Sequence, residues 1–210
     1  GRALAGFNLT PEERNALITM DASRFERASS SVQVSQVVVR GYDPVHFDPH
    51  LTIAFATMIP LSLAYSRLVK VKAGSAVVPG TQPIEGDLAE SWERQGDTVY
   101  VFKLRKGVRW HPKPPVNGRE LTAEDVRYTY DRFLNIKGNP NRFVLEMVDK
   151  VEALDKHTVK FTLREANAWF LDRLASTSTW IVAKECVDQF GDLKSPDSVV
   201  GSGPWMLQRY

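Results

Sequence analysis

One cysteine, Cys186, excludes an internal disulfide, and a single thiol is neither a redox pair nor a metal framework. No apolar run approaches the roughly 18 residues that a membrane-spanning helix needs. An excess of one charge is missing as well. Against 25 acidic side chains stand 27 basic ones, a formal net charge of +2, so composition does not argue for nucleic acid or a membrane as partner. Neither a Gly-x-Ser-x-Gly elbow nor a glycine loop for phosphate occurs, which removes two local signatures of catalysis. The chain opens at Gly1 with neither a methionine nor a signal-like apolar stretch, and it reads as a processed or trimmed product. What is present is an ordinary globular composition, 43% hydrophobic and 25% charged over 210 residues, enough for one large or two small cores.

Helix and strand signals are mixed, which predicts an α/β (mixed α+β) fold. In "NLTPEERNAL" Thr10 is an N-cap, Pro11 the first helical residue and Glu13 the reciprocal partner of a capping box, so a short helix runs to about Met20. "SSSVQVSQVVVR" alternates and then saturates with valine, as a strand entering a buried sheet does. "GYDPVHFDPH" is a loop, because each proline pushes its predecessor out of the helical region. "TIAFATMIPLSLAYSRLV" is apolar at helical spacing and predicts a helix kinked or broken early at Pro60. A Gly/Pro-rich connection follows.

The block "GDLAESWERQGDTVYVFKLRKGVRWHPKPPVNGRELTAEDV" holds the clearest local signals. Tyr100, Phe102 and Leu104 share one strand face and Val99, Val101 and Lys103 the other, with Gln95-Gly96-Asp97 as the turn of a hairpin whose partner is "AESWER". "HPKPPVNGRE" is an extended excursion ending in an Asn-Gly turn. Thr122 caps the next helix with Asp125 three residues on, and Val126, Tyr130, Phe133 and Leu134 form its apolar stripe. The acidic pair Glu124-Asp125 therefore belongs first to a helix terminus. Downstream, "KVEALDKHTVKFTLRE" is a second hairpin, "NAWFLDRLAS" and "VAKECVDQFG" are short amphipathic helices, the latter closed by Gly191, and "VVGSGPWMLQRY" is a glycine-rich turn running into a strand that ends as at a cut.

Three constellations carry other chemistries. His46, Asp48 and His50 stand together, but Pro49 prevents the helical spacing that aligns two imidazoles on a metal, so no metal site is assigned. Residues 100–113 interleave basic and aromatic side chains as single-strand nucleic-acid binders do, yet Glu90, Glu93, Asp97, Glu120, Glu124 and Asp125 offset that charge. A hydrolase needs a nucleophile beside a base. His111 and His157 lie in turn-rich positions, and Cys186 lies in an amphipathic helix.

"LAESWERQGDTVYVFKLRKGVRWH", "LTAEDVRYTYDRFL", "VEALDKHTVKFTLREANAWFLDRLAS" and "GSGPWMLQRY", in this order and with "FDPH" ahead of them, closely resemble the amino-terminal half of extracytoplasmic solute-binding proteins of the peptide/nickel class of ABC importers. The resemblance covers about residues 32–210 and departs at the insertion "PKPPVNGRE". It implies a clamshell like that of periplasmic binding proteins, with residues 1–51 and 166–210 as parts of the first lobe, residues 52–165 as an extra α/β domain inserted in it, and the second lobe absent. By the same resemblance the protein captures a peptide-like or other small solute between lobes and delivers it to ABC permease subunits. It catalyses nothing, needs no cofactor and lies in the periplasm or another extracytoplasmic space, meeting the membrane only through the permease or a lipid anchor upstream. The residues expected to face ligand are Tyr42, Asp43 and Pro44, with Asp43 set against a cationic group, and Ser202, Gly203, Pro204 and Trp205. A turn-forming role for Asp43 and a core role for Trp205 stay open beside these.

Overall fold

The computed structural model describes residues 43–207 and 210. The predicted first helix, the valine-rich strand and Tyr42 lie outside them. The chain divides into two units, one holding Asp43–Lys70 and Ile84–Tyr210, the other including Val71–Pro83. The latter stretch is the Gly/Pro-rich connection. It turns at Gly74 and Gly80, both at positive φ.

At the centre of the larger unit is a four-stranded antiparallel sheet in the order β3-β4-β6-β5, made from β3 (Ala89–Gln95), β4 (Val99–Leu104), β5 (Val148–Asp155) and β6 (Thr158–Leu163). Both predicted hairpins form. Gly96 turns the first at φ 66°, and the two meet through β4 and β6, with Tyr100 opposite Phe161 and Phe102 opposite Val159. Alternation then places Tyr100, Phe102, Leu104, Val159, Phe161 and Leu163 in the core. Helix α2 (Ala123–Asn135) covers that face with Val126, Tyr130 and Phe133, all fully buried. Phe161 is the hub: the rings of Phe102, Tyr130 and Phe170 lie 5.1–5.6 Å from it, two of them edge-on, the geometry that ring quadrupoles favour. Val101, expected opposite this face, is buried too, because Glu93 and Lys160 flank it in register and their long side chains shield it.

The capping box at Thr122 is present, with the Thr122 amide donating to Asp125 Oδ2 at 2.9 Å. Asp125 has a second task. Arg119 grips it with both terminal nitrogens, at 2.8 and 2.6 Å, and reaches on to Glu185, so the end of the excursion is tied to both α2 and the helix Lys184–Phe190.

Two expectations are corrected. Helix α1 runs only over Phe55–Ala64, with Pro60 inside it, and the chain is extended from Tyr65. Leu68 and Val69 are fully buried, and β1 (Val69–Val71) pairs with β2 (Ile84–Gly86), so core burial and pairing override the apolar pattern beyond Ala64. No strand follows the Gly-Ser-Gly-Pro turn among the described residues. The amides of Gly203 and Trp205 donate instead to the carbonyls of Ala64 and Leu63, at 2.8 and 3.1 Å, closing the end of α1.

Candidate functional site

The segment 201–205 is bonded to α1, and so is His46, two residues beyond Pro44. Ahead of the helix, the Thr57 hydroxyl donates to the carbonyl of His46 at 3.1 Å, and Ala54 precedes the first turn as an extended residue. Behind it, residues 201–205 lie against its last turn so closely that only glycine fits. A Cβ on Gly201 would come within 1.8 Å of the Ala64 carbonyl oxygen, and one on Gly203 within 2.7 Å of Ala64 C and Leu63 O. Glycine here serves close approach of backbone to backbone.

Asp43 is exposed and Pro44 half-buried. Tyr210 lies near them: Phe47 meets its ring edge-on at 4.8 Å, and partial desolvation and then the Asp43 carboxylate raise its phenol above the ordinary range. Ser202 and Gly203 are half-buried, Pro204 is exposed and Trp205 is half-buried. The Ser202 hydroxyl is itself enclosed and, like Trp110 Nε1, Tyr130 OH and Trp180 Nε1, has no hydrogen-bond partner among the described residues.

Exposed apolar side chains concentrate in the same segments. Among the described residues, Val45, Ile53, Phe55, Ile59, Met206 and Tyr210 make up six of the eleven large hydrophobics left exposed, and Phe55 and Ile59 fall one turn apart on α1. Scattered exposed apolar residues are ordinary, whereas a concentration marks a surface that something covers. Two grooves lie elsewhere. One of about 510 Å³ is lined by Asp131, Arg142, Phe143, Glu146 and Arg164, and no predicted site residue borders it.

The Asp-Pro-His turn is interior. Asp48 and His50 are fully buried, and Arg132 of α2 bridges them, with Nη1 2.7 Å from His50 Nδ1 and Nη2 on Asp48 Oδ2. His50 Nε2 lies 3.0 Å from the carbonyl of Trp180. A guanidinium only donates and a carbonyl only accepts, so the imidazole is neutral with its proton on Nε2. Burial, then the charge of Arg132, push its pKa down to about 4. Burial by itself would raise the Asp48 carboxyl, but the Arg132 hydrogen bonds and charge outweigh it and hold that group below its ordinary range. Among the described residues no group of three or more His, Cys, Asp or Glu is placed to hold a metal ion.

The basic stretch is engaged locally. Lys103 donates to Thr158, Arg105 to the carbonyl of Asp87 and Arg109 to the carbonyl of Gly118, while Trp110 is buried. Burial pushes the Cys186 thiol up to about 12, which keeps it protonated and poorly nucleophilic. Two residues of this region escaped the sequence reading, Arg132 and His111. Their partners lie 82 to 92 residues away, and no local spacing announces such a pairing.

Comparison with known proteins places this geometry. A family model described as bacterial extracellular solute-binding proteins, family 5 middle, matches residues 83–210. The dipeptide-binding protein of Escherichia coli (strain K12) is 33% identical over 215 residues, covering 93% of this chain and 38% of that protein. Among solved structures, the ABC transporter-associated periplasmic binding protein DppA from Helicobacter pylori, in complex with the peptide STSA, matches 78% of this chain and 34% of its own, with a TM-score of 0.67 and 30% identity. MoaA of A. tumefaciens R10, in complex with mannopinic acid, matches 76% of this chain and 31% of its own, with a TM-score of 0.65 and 33% identity. The chain thus spans little more than a third of the length of the relatives it matches.

Proposed function

The chain belongs to the bacterial extracellular solute-binding proteins, family 5, and on that premise we propose that it forms part of the substrate-binding component of an ABC importer, taking up a peptide or a comparable small solute. The observation that carries this reading is the pair of segments at 43–47 and 201–206. They are bonded to one helix and bordered by exposed apolar side chains, and Ser202 Oγ has no hydrogen-bond partner among the described residues. Small-solute sites combine apolar walls with a few placed polar groups in this way.

In this reading Asp43 meets a cationic group of the solute or of a facing lobe, Ser202 supplies a hydrogen bond, and Pro204 and Trp205 offer apolar surface. Residues 1–51 and 166–210 supply first-lobe pieces and 52–165 an additional domain. Binding involves no covalent step, and the solute leaves unchanged. The protein works outside the cytoplasm and reaches the membrane through permease subunits or a lipid anchor.

Affinity in such a trap comes from contacts on both sides of the solute, while the association cost is borne in full by either side alone. Losing about 4 kcal/mol of contact weakens binding roughly a thousandfold. The test is calorimetry of residues 1–210 and of the product of the complete reading frame, against Ala-Ala, Ser-Thr-Ser-Ala and mannopinic acid, with mass spectrometry of the recovered ligand. The expected result is binding of one solute class by the complete protein, much weaker binding by residues 1–210, and ligand recovered intact. Equal affinity in both would place the site on one side only, and a consumed ligand would make the protein an enzyme.

A further inference from the structure

His111 makes three hydrogen bonds to one short stretch of chain. Its amide donates to the carbonyl of Gly201 at 2.8 Å, its Nδ1 lies 3.2 Å from the Gly201 amide, and its Nε2 lies 2.9 Å from the Gly203 carbonyl. An amide only donates and a carbonyl only accepts, so one protonation state alone fits both ring contacts: neutral imidazole, bare at Nδ1 and protonated at Nε2. On its other side the same stretch is pressed against the end of α1, where Gly203 and Trp205 donate to Ala64 and Leu63. Residues 201–205 are thus held between a helix terminus and one imidazole.

We propose that His111 is a positioning residue for residues 201–205, holding them in place while neutral and releasing them when it takes a second proton. Its bearing on solute rests on the transport reading above. In the imidazolium, Nδ1–H points at the Gly201 N–H, so an acceptor becomes a donor facing a donor, and the bond is replaced by repulsion. His111 is only 8% exposed, so little water is at hand to compensate. Burial, and then the charge of Lys113, hold the imidazole neutral below its ordinary range, against the opposing pull of the Gly203 carbonyl. Lys113 is the charged group beside the ring; residues 201–203 bring none, and Cys186, which feels the same lysine, stays protonated. Loosening this stretch moves Ser202 and Trp205, two of the groups assigned to the solute.

The measurement is amide hydrogen exchange of the complete protein without ligand, comparing protection of residues 199–207, corrected for intrinsic rates, between about pH 7.5 and about pH 5. Strand peptides from β4 and β6 report any global change. Wild type is expected to lose about tenfold in protection at the lower pH, the worth of one hydrogen bond near 1.4 kcal/mol. His111→Asn keeps an acceptor near the Nδ1 position and cannot be protonated, so its protection is intermediate and flat with pH. His111→Ala is unprotected throughout. Calorimetry with Ala-Ala, Ser-Thr-Ser-Ala and mannopinic acid follows on the same samples, and affinity is expected to fall in parallel with protection.

Protection that is flat with pH in wild type, or a pH-dependent loss retained in His111→Asn, overturns the proposal. Protection that changes while the affinity of a bound probe does not overturns the positioning role. If no probe binds wild type at either pH, the transport reading fails, and hydrogen exchange still decides whether His111 holds the stretch.

Discussion

Arg132 and His50 meet inside the protein, with a guanidinium nitrogen 2.7 Å from a bare imidazole nitrogen and Asp48 closing the group. Helix α2 is thereby joined to the Asp-Pro-His turn, and through His50 Nε2 to the segment at Trp180. Removing the arginine leaves Asp48, fully buried, without its counter-charge. Arg132→Met is expected to cost about 3–5 kcal/mol in urea unfolding, and Asp48→Asn on top of it is expected to recover part of that loss. A single variant within about 1 kcal/mol of wild type would show that the pair is dispensable.

The same cluster sets an acid limit. His50 is held neutral with a pKa depressed from 6.5 to about 4, so the unfolded chain binds its proton first as pH falls. The sign follows: the contribution is complete above about pH 6.5 and is lost as pH drops toward about 4, by on the order of 3 kcal/mol. Asp48, also depressed, gives up its share at lower pH still. Urea midpoints measured across this window should fall for wild type, and His50→Gln should flatten the dependence. A wild-type midpoint that is constant between the two pH values would contradict a buried neutral His50.

Gly201 tests close packing apart from backbone conformation. A methyl group there would strike the Ala64 carbonyl oxygen at 1.8 Å, so Gly201→Ala is expected to cost about 2 kcal/mol or more. Gly138→Ala meets open space, but its φ of 79° makes it cost only about 1 kcal/mol. Chemical denaturation of both ranks them, and the reverse order would mean that residues 201–205 do not press on α1.

For the basic stretch the expected outcome is no saturable binding of single-stranded DNA at physiological salt. Lys103, Arg105 and Arg109 are already bonded within the protein, which leaves few cations to displace counterions from phosphates. Tight binding that weakens steeply with added salt would give those side chains another role.

Much of the sheet was legible because alternation is a local signal. Tyr100, Phe102 and Phe161 are buried as their period of two requires, and Phe133 as the period of α2 requires. Thr122 and Asp125 likewise form their cap within four residues. The errors arose where tertiary contact decides. Nothing near Ala64 announces the end of α1, since the groups that close it come from residues 203 and 205. Asp43, Ser202 and Pro204 were expected at the site from the resemblance. The pairing of His111 was not legible, since it stands in a turn-rich position and its partners follow some 90 residues later.

The two outer strands of the sheet differ in kind from the inner pair. β3 and β5 each carry register shifts, and their outward positions bear Glu90, Glu93 and Arg94 on one and Asp149, Lys150 and Glu152 on the other, while β4 and β6 pair without interruption. An irregular, charged rim is a poor template for another strand. An extended peptide offered to this protein is therefore turned away from lengthening the sheet, and so is a second copy of the chain. The hairpins thus form a scaffold closed at both of its rims.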